Sequence, residues 1–148
     1  MRLLTPKEYL MQIYNLNNKI NSKLSERDEI MNTLTRSTDT TKENIHTLDV
    51  GRPTEETVIR LMKYNDEANQ YTDELVELKV QIAEEIMKLE NENHRMVLRE
   101  RYIHCKKFEQ VAVDMAYDYS WVIKLHRRAL KEFENKFPEK FKESLKSH

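Results

Sequence analysis

From Thr54 to Leu89 the sequence runs for about ten helical turns without a glycine or a proline. Apolar residues mark one face of it: Val58, Leu61, Met62, Ala68, Tyr71, Leu75, Leu78, Ile82, Ile86 and Leu89. An isolated helix with one apolar stripe is marginal in water, so this stretch demands a partner to cover that face. Asn65 and Lys79 interrupt the seam, as polar residues that fix register in paired helices do. Pro53-Thr54-Glu55-Glu56 opens the segment, with acidic side chains suited to the positive end of the helix dipole.

The partner lies upstream. Thr5-Pro6-Lys7-Glu8 reads as a helix start in which Thr5 caps and Glu8 closes a capping box. Ile13, Leu16, Ile20, Leu24, Ile30 and Leu34 then follow at near-heptad spacing, to about Thr35. The two segments predict an antiparallel helical hairpin over residues 1–90, with apolar surface left for a second copy of the chain. Residues 36–53 lose the apolar pattern and hold the single glycine, Gly51, which marks a long polar connection.

One Gly and three Pro in 148 residues, with 34% charged side chains, fit an all-α fold. The 39% hydrophobic content is too high for wholesale disorder. Formal net charge is −1, but it is segregated: residues 1–90 hold 12 Lys and Arg against 17 Asp and Glu, residues 91–148 hold 13 against 9. Cys105 is the single cysteine, which excludes a disulfide within the chain and points to a reducing, cytoplasmic setting. No apolar run reaches the length of a membrane span, and Met1-Arg2-Leu3-Leu4 lacks a signal-peptide core, so no membrane association is expected.

The basic half contains three short amphipathic segments. Met96 to Ile103 carries apolar side chains at helical spacing; after Cys105-Lys106-Lys107 come Phe108, Val111, Ala112 and Met115 on one face. A corner, Ala116-Tyr117-Asp118-Tyr119, leads into a longer segment. There Val122, Leu125, Ala129, Leu130 and Phe133 face inward, while Lys124, Arg127, Arg128 and Lys131 lie outside. Two helices around a tight turn, the second with a basic outer face, form the pattern of a helix-turn-helix. Domain expectations follow: a hairpin for oligomerisation or partner binding over 1–90, a helix-turn-helix over 91–137, and a tail over 138–148 with a weak Phe141/Leu145 stripe.

Leu98-x-x-Arg101-Tyr102-Ile103, Phe108-Glu109-x-Val111-Ala112 and Val122-x-Lys124-Leu125-His126-x-x-Ala129-Leu130 resemble region 4 of bacterial sigma factors. The run is closer still to RinA/ArpU-type late-gene regulators from phages of Gram-positive bacteria. The likeness covers about forty residues and extends loosely to Tyr9-Leu10-x-x-Ile13-x-x-Leu16-x-x-x-Ile20 and Leu75-x-x-Leu78-Lys79-x-x-Ile82. Glycines common in those proteins near Cys105 and Ala116 are absent here, as is the tryptophan at Phe108, although a residue at positive φ is easy only for Gly.

The resemblance implies DNA reading at Tyr119, Ser120, Ile123 and Lys124. The helix-turn-helix pattern itself, with Asp118 as cap, turns Tyr119, Ser120, Ile123, Lys124 and Arg127 toward the groove. Lys124 or Arg127 suits guanine O6/N7, and Ile123 a thymine methyl. Arg128, and Lys106 and Lys107 ahead of the second helix, are candidate phosphate contacts; each of these, like Lys124 and Arg127, also reads as a solvated surface cation. Trp121 and Tyr117 are expected to pack the corner, and His126 stands between a core role and a phosphate contact. Arg99 and Arg101 divide between a phosphate and a pairing with Glu100 or Glu109. Glu84-Glu85 reads as an acidic helix face. His46, His94, His104, Cys105, His126 and His148 make no zinc spacing, and there is no glycine-rich phosphate loop, so no enzyme, metal or cofactor is expected.

The function expected is sequence-specific binding of double-stranded DNA to regulate transcription; the resemblance implies a phage or prophage late-gene activator in a bacterial host cell. The hairpin is expected to form a homo-oligomer, a dimer first, or to bind RNA polymerase. Two other readings use the same residues: a small-terminase-like DNA packaging protein, which forms large rings, and a helical adaptor that binds only protein.

Overall fold

A computed structural model describes residues 3–40 and 54–141, with residues 35–40 described in their backbone alone. The described residues are helical, as the composition predicts: α1 (Pro6–Thr40), α2 (Glu55–Met87), α3 (Glu92–Leu98), a π-helical turn (Arg99–Ile103), α4 (Phe108–Met115), α5 (Tyr119–Lys136) and a 3₁₀ turn (Pro138–Lys140). α1 continues past the predicted stop near Thr35 to Thr40, so residues 36–40 of the expected connection are helical. Residues 41–53 and 142–148, including the rest of that connection and Leu145, lie outside the described residues.

Capping sets the helix starts. Thr5 and Glu8 form the expected capping box: the Thr5 backbone N–H donates to Glu8 Oε1 (2.9 Å) and the Glu8 N–H to Thr5 Oγ1 (3.1 Å). Thr54 caps α2 through the Thr57 N–H (3.1 Å). The apolar stripe of α2 does not run unbroken to Leu89. The helix ends at Met87, a tight turn follows, and Asn91 caps α3 by accepting from the His94 N–H (3.1 Å). Arg95 Nη1 donates to the carbonyls of Leu89 (2.6 Å) and Glu90 (3.1 Å), supplying partners at the end of α2.

The chain forms two compact units. Unit two, Leu16–Leu75, holds the middle of the hairpin as an antiparallel pair. Lys19 lies over the Tyr71 ring, Lys23 pairs with Glu67 at 3.0 Å, and Arg27 Nη1 donates to Asn65 Oδ1 at 3.1 Å. Rising numbers in α1 thus meet falling numbers in α2. Its core is thin: Ile20, Ala68 and Leu75 are buried, whereas Val58 and Met62 of the predicted stripe stay exposed.

Unit one comprises Met1–Asn15 together with Val76–His148. Leu10 and Ile13 of α1, Ile82, Ile86 and Leu89 from the α2 end, Val97 and Leu98, Tyr102, Val111, Ala112, and Val122, Leu125, Ala129 and Phe133 of α5 form one continuous core. Phe133 meets Tyr9, Phe137 and Phe141 at ring-centroid distances of 6.1, 5.1 and 5.6 Å. The start of the tail is therefore not the weak helical stripe expected: Phe141 is 2% exposed and bridges to Leu4.

Glu85 also departs from expectation. It is not on an acidic outer face but 7% exposed, accepting from the Tyr9 hydroxyl at 2.6 Å and pairing with the Lys140 ammonium at 2.7 Å. Phe141→Ala is expected to lower the unfolding free energy by about 3 kcal/mol, measured by urea denaturation followed by circular dichroism; a loss below about 0.5 kcal/mol would show that Phe141 is not part of the core.

Candidate nucleic-acid interface

The surface begins with two corners. α4 ends in a Schellman arrangement: the Tyr117 N–H donates to Ala112 O (3.0 Å) and the Ala116 N–H to Val113 O (3.1 Å), with Ala116 left-handed at φ 59°. Cys105, at φ 55°, closes the π-helical turn in the same region of backbone space. These are the two places where the sequence lacks the expected glycines, so the chain makes both turns with side chains on them. The second corner sets α5 against α4, with Asp118 at the N-cap position in extended conformation but with no side-chain cap bond.

The inner face of α5 is fixed by a buried polar pair. The Tyr102 hydroxyl and His126 Nε2 are 2.7 Å apart, and Phe108 packs edge-on against the imidazole at 4.8 Å. Burial holds the His126 pKa down at about 4, aided by the charges of Arg101, Lys7 and Arg127; burial also lifts the Tyr102 phenol to about 12. Both are neutral near pH 7. His126 is a core histidine, not a phosphate contact.

Arg101 and Lys106 also serve the corner. The Arg101 guanidinium stacks on Phe108 at 4.3 Å and donates to Lys106 O (2.8 Å), rather than pairing with Glu100 or Glu109. The Lys106 ammonium sits 2.7 Å from Asp114 and 3.1 Å from Glu100, clasping α4 to the preceding turn; those two carboxylates raise its pKa. Of the predicted Lys106/Lys107 pair, Lys107 is the exposed one.

On the outer face of α5, Tyr119, Ser120, Lys124, Arg127 and Arg128 are exposed and Ile123 is half-buried. Lys124, Arg127, Arg128 and Lys131 line one shallow concavity, and no carboxylate stands anywhere between Tyr119 and Lys131. Arg128 lies over the Trp121 ring at 5.2 Å. Trp121 and Tyr117 do not fill the corner as expected; they are 37% and 38% exposed.

Lys7 was not legible as part of this surface. The fold brings the start of α1 to α5, where Lys7, Arg127, Leu130 and Lys131 line a common hollow with Thr5, Pro6 and Glu134. No local pattern links residue 7 to residue 127; a long-range packing signal alone could have.

Residues 50–134 match the family described as a protein of unknown function (DUF1492). The chain belongs to this family. No curated protein and no solved structure matches it. Among the described residues no group of His, Cys, Asp and Glu is placed to hold a metal ion, and no helix is long and apolar enough to cross a membrane.

Two outcomes follow. Ala116→Gly, which relieves a left-handed alanine, is expected to raise stability by about 1 kcal/mol, read as a higher urea midpoint at unchanged slope; an unchanged or lower midpoint would refute this. For His126, a folded pKa near 4 against the ordinary 6.5 means that the unfolded chain binds the extra proton first. Its contribution is complete above pH 6.5 and is lost as pH falls toward 4, on the order of 3 kcal/mol. Stability measured across that window should fall less steeply in His126→Gln; parallel slopes would remove His126 as the cause.

Proposed function

We propose that the protein is a sequence-specific, double-stranded DNA-binding transcriptional regulator. The observation that supports this most is α5 itself. One face is locked into the core by Val122, Leu125, His126, Ala129 and Phe133, and the other presents Lys124, Arg127, Arg128 and Lys131 without an intervening acid. A helix so anchored after a tight corner can enter a major groove with its N-terminal turns first. Tyr119, Ser120, Ile123, Lys124 and Arg127 then face base edges, while Arg128, Lys131, Lys107 and Lys7 meet phosphates. The resemblance to RinA/ArpU-type regulators and sigma region 4 supports a late-gene activator of a phage or prophage, acting in the bacterial cytoplasm beside RNA polymerase. The hairpin presents the binding helices in pairs. Chemistry on a substrate has no place in this reading.

The test is selection of bound duplexes from a randomised library at near-physiological salt, repeated with the Lys124→Ala/Arg127→Ala variant. The expected result is an enriched motif that the variant no longer selects. Lys7→Ala is expected to weaken binding evenly across sequences and to lower the salt slope by about 1. Recovery of no motif, with weak binding that vanishes as salt rises, would overturn sequence-specific reading.

A further inference from the structure

α2 carries a second apolar stripe within unit one. Val76, Val80 and Met87 are 56%, 54% and 57% exposed, and the half-buried Ala83 completes spacings of four, three and four. Single exposed hydrophobic residues are ordinary; four aligned at the a and d spacing of a coiled coil make a seam. It lies roughly 110° around the helix from the buried face of Leu75, Ile82 and Ile86, so it is a separate surface from the one the hairpin covers. Met87 also lines a hollow with the exposed Met96, which extends the apolar surface into α3.

The flanking charges identify the occupant. With Val80 and Met87 at a and Val76 and Ala83 at d, Lys79 falls at g and Glu84 at the following e, five residues on. That is the interval at which g and e of two parallel helices form ion pairs across a coiled-coil seam. Neither side chain is engaged by a described residue. An antiparallel pairing would bring e positions together and set Glu77 against Glu84, two like charges.

We propose that this seam is a homodimer interface in which two copies pack α2 in parallel through Val76, Val80, Ala83 and Met87, with Lys79 of each copy facing Glu84 of the other. A two-fold axis along α2 holds both α5 helices at the same height, as recognition of an inverted repeat requires. The purpose of the dimer rests on the DNA-binding reading; its existence does not, because the experiment contains no DNA.

Sedimentation equilibrium of the full chain over roughly 1–200 μM is expected to give a reversible monomer–dimer equilibrium. Val80→Glu should weaken it at least about tenfold while circular dichroism stays unchanged. Lys79→Glu and Glu84→Lys should each weaken it, and the double exchange Lys79→Glu/Glu84→Lys should restore it. Lys124→Ala/Arg127→Ala should leave it intact. A wild-type monomer throughout that range, association indifferent to Val80→Glu, or a double exchange that fails to restore pairing would each overturn the proposal.

Discussion

A buried carboxylate holds unit one together. Glu85 leaves water only because the Tyr9 hydroxyl and the Lys140 ammonium both meet it, at 2.6 and 2.7 Å. Those three residues come from α1, α2 and the turn after α5, so a single desolvated charge requires three distant segments to be in place together. Removing one partner from such a group costs far more than a surface pair would, because the charge is left buried. Gln81 adds a donor to the Tyr9 hydroxyl at 2.9 Å, and Phe133 and Phe141 press against the Tyr9 ring. The α5 helix is thereby mounted on α1 and α2 rather than standing as an independent module.

The corners around α4 follow a different logic. A left-handed non-glycine residue costs roughly 1–2 kcal/mol, and the described residues include two, Cys105 and Ala116. Each is held by neighbours that fix the turn: the Lys106 clasp to Glu100 and Asp114 with the Arg101 bond on one side, the Schellman bonds of Tyr117 and Ala116 on the other. The corners stay sharp without glycine because their surroundings over-determine them. The outcome is a stiff approach into α5, whose first exposed residues, Tyr119 and Ser120, inherit their direction from it.

Much of this could be read in advance, for physical reasons that differ by residue. The helices, the Thr5–Glu8 capping box and the inner face of α5 follow from local periodicity and capping chemistry, which short windows of sequence contain. The exposed cations of α5 were legible on the same grounds. What escaped depends on contacts across the chain. Glu85 looked like a surface acid because its partners stand 76 and 55 positions away; Phe141 looked like a fraying tail; Lys106 looked free because Asp114 and Glu100 had to be folded around it. Lys7 joins α5 only through tertiary packing.

The bridge from Leu4 to Phe141 carries a consequence for how the protein is made. The first turn of α1 emerges from the ribosome early, yet its hydrophobic contacts lie in the last part of the described chain. Until that part is synthesised, the core that Leu10 and Ile13 enter lacks Phe133 and Phe141. Closing so long a span is slow and entropically costly. Unit one therefore cannot assemble progressively behind the growing chain. It is completed in a late step that joins residues 4–13 to residues 133–141, and the same step puts α5 in its final place.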